Sequence, residues 1–371
     1  MPRFAGMLTD GMRERNHTVQ VWAPTPRFIR FSIFEKLKKW FGYMDQYIIF
    51  PLEVKSRLRR CSKETIFVFA DQALGPWVPL VAKFPHVIHC HDFLAQRSAL
   101  GEVTENNTGW SGKIYQQFIR RGYSKGKNFI SVSQKTSNDL LEFLGYQPNI
   151  SKIVYNGLNQ SFVPVHKELA INALCKELAI DLSVGFILHV GGNQWYKNRV
   201  GVLEIYQEWR SQSNLKLPLL MIGSSPSNEL SLLHAHSAFK SDIYFVTGLN
   251  DETVRMAYAT ASLMLFPSLA EGFGWPIAEA MASGCLVVTT DEAPMTEVSG
   301  EAGFKIARRP ANSGNYLDWA KNAAKVVEDA LRLSPLEKNN QIEKGLINVK
   351  RFDSSHALDS IEAIYRQILH P

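Results

Sequence analysis

Glu271-Gly-Phe-Gly-Trp-Pro-Ile-Ala-Glu279 sets two carboxylates eight positions apart around a Gly-x-Gly turn. The stretch before it, Ser262-Leu-Met-Leu-Phe-Pro-Ser268, is apolar enough for a parallel strand buried on both faces. Pro276 suits the start of a helix, where a backbone N–H would go unpaired in any case. Gly284 can stop that helix in a left-handed conformation. Cys285-Leu-Val-Val-Thr-Thr290 then reads as the next strand and completes a βαβ unit. Glu271 therefore falls in a loop at the carboxyl edge of a sheet, and Glu279 in the first turns of a helix. Open α/β sheets bind ligands at that edge. The glycines let backbone N–H groups approach a ligand, and a helix N-terminus favours an anion. An isolated Glu pair would read as a helix-start charge and a solvated face. The Gly-x-Gly-x-Pro context tips the reading toward a ligand with both hydroxyls and phosphate, such as a nucleotide sugar.

Outward from this unit, strand-like and helix-like segments alternate, the pattern of parallel α/β layers. Residues 3–15 read as a helix. Strands follow at 18–23, 65–70, 86–90, 129–133 and 151–156, with a helix over 135–144. The turn residues and proline of 156–164 suggest an interdomain linker. A second series opens with the strand 186–190 and continues through 217–222, 243–246 and the two strands above. The chain of 371 residues suits two domains, each with its own core.

The second informative loop is Val190-Gly-Gly-Asn-Gln-Trp-Tyr-Lys197-Asn198-Arg199, again between a strand and a helix. Lys197 and Arg199 at the helix entry suit a diphosphate, which needs counter-charge as it leaves. They could also be ordinary solvated cations. No Asp-x-Asp occurs in the chain, so no metal site of that kind is expected and the cations would act alone. In His89-Cys-His91-Asp92 the two histidines share one face of a strand. Zinc would need further ligands nearby, and none cluster there. His89 reads as a satisfied buried histidine. Asp92 either fixes the His91 tautomer or caps the next turn.

A hydrophobic content of 45% and a charged content of 20% fit a globular protein. Cys61, Cys90, Cys175 and Cys285 are scattered, with no C-x-x-C, which suggests a reducing compartment. No run of about 18 apolar residues and no signal-peptide core occur, so a cytoplasmic location is expected. Net charge is +6, and the excess concentrates between 27 and 63. There Arg27, Arg30, Lys36, Lys38, Lys39, Lys55, Arg57, Arg59, Arg60 and Lys63 face only Glu35, Asp45 and Glu53. Phe31, Phe34, Trp40, Phe41, Tyr43, Tyr47 and Phe50 interleave. Such a segment can rest on the inner face of an anionic membrane or be a partly buried helix with a solvated face. No nucleic-acid motif is present, and nucleic acid is not an expected partner.

The run 266–303, with Pro267-Ser268, Glu271-Gly-Phe-Gly, Glu279-Ala-Met-Ala, Gly284 and Glu297-Val-x-Gly-x-Ala-Gly303, resembles glycosyltransferase family 4. A weaker likeness extends over nearly the whole chain. The resemblance implies a GT-B fold, two Rossmann-like doubly wound domains facing a central cleft. They would be an N-terminal domain over 1–158 and a nucleotide-sugar domain over 159–353. The helix 354–371 would pack back onto the first. It implies a retaining transferase moving a hexose, such as mannose, from a nucleotide sugar to a polysaccharide or lipid-linked acceptor. Glu279 would hold the ribose, and Glu271 with Gly272, Phe273 and Gly274 the transferred sugar. Lys197 would neutralise the diphosphate, beside Gly192 and Asn193. Gly191-Gly192 replaces the family's Gly-Arg pair, which makes Arg199 the candidate for the missing arginine. His91 would contact the donor sugar, and Gly248 and Leu249 the base. The family's opening strand and Gly-Gly-x-x-Arg loop have no counterpart ahead of Met1-Pro-Arg3. Either the start is truncated and the true one lies upstream, or the chain lacks a central strand of its first sheet, which would leave two unpaired ladder edges inside the core. The alternatives are a catalytically impaired nucleotide-sugar-binding protein and a sucrose-synthase-like transferase with a soluble acceptor.

Overall fold

The computed structural model describes residues 2–31, 35–158, 162–311 and 315–370. Phe34, of the aromatic set above, lies outside them. Among the described residues ten strands form two sheets, parallel throughout. The first contains β1 (Phe67–Phe69), β2 (His86–Cys90), β3 (Asn128–Ser131) and β4 (Ile150–Ile153), in the order β1-β2-β3-β4. The second contains β5 (Ile187–Gly191), β6 (Leu219–Gly223), β7 (Ile243–Val246), β8 (Leu263–Phe266), β9 (Val287–Thr290) and β10 (Gly303–Ile306). Its order is β10-β9-β8-β5-β6-β7.

Both faces of the second sheet are covered, so its strands are apolar without alternation. Ile187, Met221, Leu263 and Val288 pack with Tyr206, Trp209, Trp319 and Val327. Leu188, Leu220, Met264 and Val287 pack on the other face with Tyr258, Ile277 and Met281. In the first sheet, Ile88, Cys90 and Phe129 meet Val78, Phe93 and Tyr123. Val87 and Ile130 meet Phe4, Leu8 and Met12 of the helix Pro2–Glu14. The same core takes Leu358, Ile361 and Tyr365 from the helix Ser354–Leu369. The last helix of the chain thus closes one face of the first sheet, and Arg15 clamps it to the first helix through Asp359 at 2.5 Å.

The chain crosses between the lobes twice, side by side. Leu158 donates its N–H to the Phe352 carbonyl at 2.9 Å. Gly157 lies so close to Ser354 that an added Cβ would sit 2.5 Å from its Cα.

The structure corrects the expectation of a strand at 18–23. That segment is in no strand, although the Trp22 ring lies 5.7 Å from Phe67. A strand needs a ladder partner, and among the described residues no strand lies beside it. β1 to β4 run as one unbroken sheet, with β1 at an edge. β10 and the helices Lys167–Leu178, Trp110–Tyr123 and Tyr316–Leu331 were not anticipated. In the basic segment, helices Glu35–Met44 and Phe50–Leu58 flank a π turn at Asp45–Ile49. The buried Asp45 carboxylate accepts the N–H groups of Arg27, Phe28 and Ile29 at 3.0–3.1 Å.

Candidate active site

The second sheet reverses its winding between β5 and β8, which are neighbours although three strands apart in sequence. Such a reversal opens a crevice beyond the carboxyl ends of the two strands. The loop after β5 carries Lys197 and the loop after β8 carries Glu271. The Lys197 ammonium donates to Glu271 Oε1 at 2.7 Å, and Ser268 Oγ donates to the same oxygen at 2.9 Å. Lys197 Nζ also lies 5.0 Å from the Phe266 ring centroid. Asn198 takes a left-handed φ of 49° and caps the helix Arg199–Gln212 through Gly201 N–H. Its amide also donates to the Pro267 carbonyl at 2.8 Å, which ties the two loops together.

Gly274, at φ 101°, is the cap of the helix Trp275–Ala282, and Pro276 stands in its first turn. Gly284 follows that helix at φ 74°. Glu279 is buried on it. Tyr258 donates to one of its oxygens at 2.9 Å and Arg3 to the other at 3.0 Å. Burial pushes the Glu279 carboxyl up, while the Arg3 charge and the Tyr258 hydrogen bond pull it back. The Arg3 guanidinium also stands 5.0 Å over the Trp275 ring.

Arg199 does not pair with Glu271. It is buried, and its Nη1 donates to Asn193 Oδ1 at 2.5 Å and to the Ser224 carbonyl at 2.8 Å. Its Nε and Nη2 have no partner. Asn193 reaches on to the Ser225 carbonyl at 2.6 Å, so the loops after β5 and β6 are stitched together. Gly192 lies in that stitched loop. Gly248, at φ 72°, and Leu249 follow β7. The Phe273 side chain is core, against Phe352 and Trp275.

From the first lobe, His91 follows β2 and meets Gly272. An added Cβ on Gly272 would lie 1.9 Å from the His91 carbonyl oxygen. Ser133 and Thr136 donate to the Gly272 carbonyl at 2.7 and 3.2 Å. Glycine is thus needed where the lobes touch. His91 Nε2 bonds the Ala70 carbonyl at 2.9 Å. A carbonyl only accepts, so Nε2 carries the proton and Nδ1 keeps its lone pair. Burial pushes the His91 pKa down and favours this neutral ring. Of the two readings of Asp92, the contacts match the cap, since Oδ1 accepts Leu94 N–H at 3.0 Å. His89 is buried and bonded to the Tyr365 hydroxyl at 2.7 Å, a satisfied core residue. Further contacts between the lobes are Glu105–Arg308 at 2.6 Å and Gln134 N–H to Glu297 at 2.7 Å.

Residues 1–162 match Glycosyltransferase Family 4, and residues 185–329 match Glycosyl transferases group 1. The chain belongs to glycosyltransferase family 4. Its fold is GT-B: it superposes on WaaG, a glycosyltransferase involved in lipopolysaccharide biosynthesis, with a TM-score of 0.70 at 15% identity, over 98% of this chain and 95% of that one. It superposes on Anabaena Alr3699/HepE in complex with UDP and glucose with a TM-score of 0.67 at 16% identity, over 95% and 87%. By sequence it is similar to the O-antigen chain mannosyltransferase B of Escherichia coli, 25% identical over 52% of this chain and 50% of that protein. It is 24% identical to the MMP alpha-(1->4)-mannosyltransferase of Mycolicibacterium hassiacum, over 76% of this chain and 67% of that one. The matched stretch thus spans half the length of the first of these relatives.

Within this family 4 site, sequence reasoning missed several contacts. Arg3 meets Glu279 from 276 positions away, which no local pattern announces. Gln72 accepts the His91 N–H at 2.9 Å and donates to the Asp92 carbonyl, so it clamps the loop that carries His91. Tyr258 and Ser268 orient the two glutamates. Ser268 stood in the quoted strand, but its hydroxyl direction depends on the turn that follows it.

Proposed function

We propose that this chain transfers a hexose from a nucleotide sugar to a polysaccharide or lipid-linked acceptor, with retained stereochemistry and without a metal. The observation that carries the reading is the Lys197–Glu271 pair in the crevice between β5 and β8, with Glu279 behind it on the next helix. Glu279 accepts hydrogen bonds from the ribose hydroxyls. Glu271 and the N–H groups near Phe273 and Gly274, with Gly272, hold the transferred sugar. Lys197 neutralises the departing diphosphate. Arg199 anchors the neighbouring loops with Nη1 and adds charge from its unpartnered edge. Gly192 and Asn193 shape the phosphate loop, and Gly248 and Leu249 contact the base. His91 presents Nδ1 to the sugar.

In the proposed step the acceptor oxygen bonds the anomeric carbon on the face from which the phosphate oxygen leaves. That phosphate oxygen takes the acceptor proton. Lys197 and Ser268 hold Glu271 through Oε1 as a binding carboxylate, and the phosphate oxygen supplies the base that this route needs. The HepE complex with UDP and glucose supports a nucleotide-sugar donor, and the mannosyltransferase relatives support mannose. Among the described residues no helix is long and apolar enough to cross a membrane. We place the chain in the cytoplasm, with the 27–63 segment resting on the inner face of the membrane. One observation favours the alternative of a binding protein with impaired turnover: Arg3 occupies the carboxylate assigned to the ribose.

Calorimetry with UDP and GDP, set beside donor hydrolysis, tests the proposal. Binding with turnover supports it, and binding without turnover favours the impaired form. Glu279→Ala should weaken nucleotide binding by about tenfold or more, the worth of a charge-assisted hydrogen bond. Unchanged affinity overturns the ribose assignment. Activity should survive EDTA. Loss on chelation, restored by magnesium or manganese, overturns the metal-free reading.

A further inference from the structure

The helix Trp110–Tyr123 carries its apolar side chains on two faces. Ile119, Gly122 and Tyr123 are buried inward. Trp110, Ile114 and Phe118, each four residues apart, stand 79%, 46% and 45% exposed. Such spacing aligns them as one outward stripe. Between residues 109 and 127 the chain has Lys113, Arg120, Arg121, Lys125 and Lys127 and no Asp or Glu. Two grooves flank the helix. One, of about 580 Å³, is lined by Pro76, Pro79, Phe118, Arg121, Lys125 and Lys127. The other, of about 280 Å³, includes Leu100, Trp110, Lys113 and Ile114. Each joins an apolar floor to a cationic rim.

The stripe continues into the basic segment. Ring centroids step from Trp40 to Tyr43 at 6.1 Å, to Tyr47 at 5.9 Å and to Phe118 at 5.6 Å. The Tyr47 and Tyr115 hydroxyls are 2.9 Å apart. Ile48 and Leu52 are also exposed. Cationic rims suit anionic headgroups, and a floor of Pro76, Pro79, Leu100 and Ile114 beside Phe118 and Trp110 suits acyl chains. Bases could stack on the two aromatics but gain nothing from the aliphatic and proline floor.

We propose that the outward face of the helix Trp110–Tyr123, with its two grooves, docks on an anionic phospholipid bilayer. This deepens the membrane reading of the 27–63 segment and rests on it. The helix precedes β3 and runs against the parallel strands, so its Trp110 end lies toward their carboxyl edge, where His91 and Gly272 meet. The loop before Trp110 carries Glu105, which pairs with Arg308 of the other lobe. Docking along this helix therefore sets the mouth of the cleft beside the bilayer, where a lipid-linked acceptor would present its sugar.

Flotation of the full chain with phosphatidylcholine vesicles, with and without phosphatidylglycerol, tests the proposal. The wild type should float only with phosphatidylglycerol. The triple variant Lys113→Gln, Arg121→Gln, Lys125→Gln should lose partitioning by about a hundredfold, since each cation near an anionic surface counts several-fold. Trp110→Ser with Ile114→Ser should also lose it, at unchanged cation number. Both variants should keep wild-type affinity for UDP or GDP, which also reports an intact fold. Variants that float like the wild type, while Lys39→Gln with Trp40→Ser sinks, overturn the docking helix and leave the 27–63 reading standing. A wild type that never floats overturns both and leaves the nucleotide reading untouched. Salt-sensitive retention on DNA without flotation assigns the face to nucleic acid and overturns the proposal.

Discussion

The two lobes use the same parallel-sheet construction but differ where it matters for ligands. The second sheet reverses its order between β5 and β8 and so opens a crevice, filled by Lys197 and Glu271. The first sheet runs in sequence order without a reversal among the described residues. It offers one strand end, at His91, and a broad flank. A reversal creates a place where two loops part and a ligand can enter; a sheet without one supplies side chains to a neighbour's crevice.

Lys197→Ala strikes the crevice itself. Removing a preorganised donor from a developing anion should lower transfer by about 10²–10³-fold. His91→Ala, in the lobe without a crevice, should leave UDP or GDP affinity within a few-fold. If Lys197→Ala alters transfer no more than a surface lysine variant does, the asymmetry fails.

Gly272→Ala tests the seam between the lobes. Its Cβ would collide with the His91 carbonyl at 1.9 Å, a backbone atom that cannot step aside. Overpacking of this kind costs about 1–3 kcal/mol. The melting temperature and donor hydrolysis should both fall.

The first lobe buries His86 and His89 on β2 and the second buries His189 on β5, and His89 and His189 form the matched pair. Burial pushes both pKa values down to about 3. The ordinary value in the unfolded chain is about 6.5. As pH falls below 6.5 the unfolded state takes up protons that the folded state refuses. Stability present above pH 6.5 is therefore lost toward pH 3, at about 1.4 kcal/mol per pH unit for each histidine. Denaturant unfolding between pH 7 and 5 checks this. His189→Asn should flatten the slope contributed by the second lobe only.

The smallest expected effect separates the two histidines. His89 Nε2 is satisfied by Tyr365, whereas His189 bonds the Leu265 carbonyl through Nδ1 and leaves Nε2 without a partner. Tyr365→Phe should cost about 1 kcal/mol in the first lobe. An unchanged melting temperature would show that the hydrogen bond adds nothing beyond the packing of its ring.

Uninterrupted apolar runs made the strands legible. The four residues of β7 coincide with the run 243–246, and the helix Ser354–Leu369 with its periodic face. β10 was not, because Gly303-Phe-Lys-Ile306 opens on a glycine and carries a lysine. The segment 18–23 misled in the other direction. Its Val19, Val21 and Trp22 favour a strand locally, but pairing belongs to the neighbour and not to the segment. In the site, local motifs put Lys197 and Glu271 on loops after two strands. Their meeting at 2.7 Å follows from a strand order that no local run encodes. Arg3 against Glu279 and Gln72 against His91 depend on how elements far apart in sequence fold together. The exposed stripe of Trp110, Ile114 and Phe118 mimics a core-facing helix face in sequence, and only solvent accessibility distinguishes the two.

The paired crossings at Leu158 and Phe352 leave a mechanical signature. Two adjacent stretches of backbone are joined there by the Leu158 N–H, so neither can shift without the other. Proline at 158 has no N–H to give and would uncouple them.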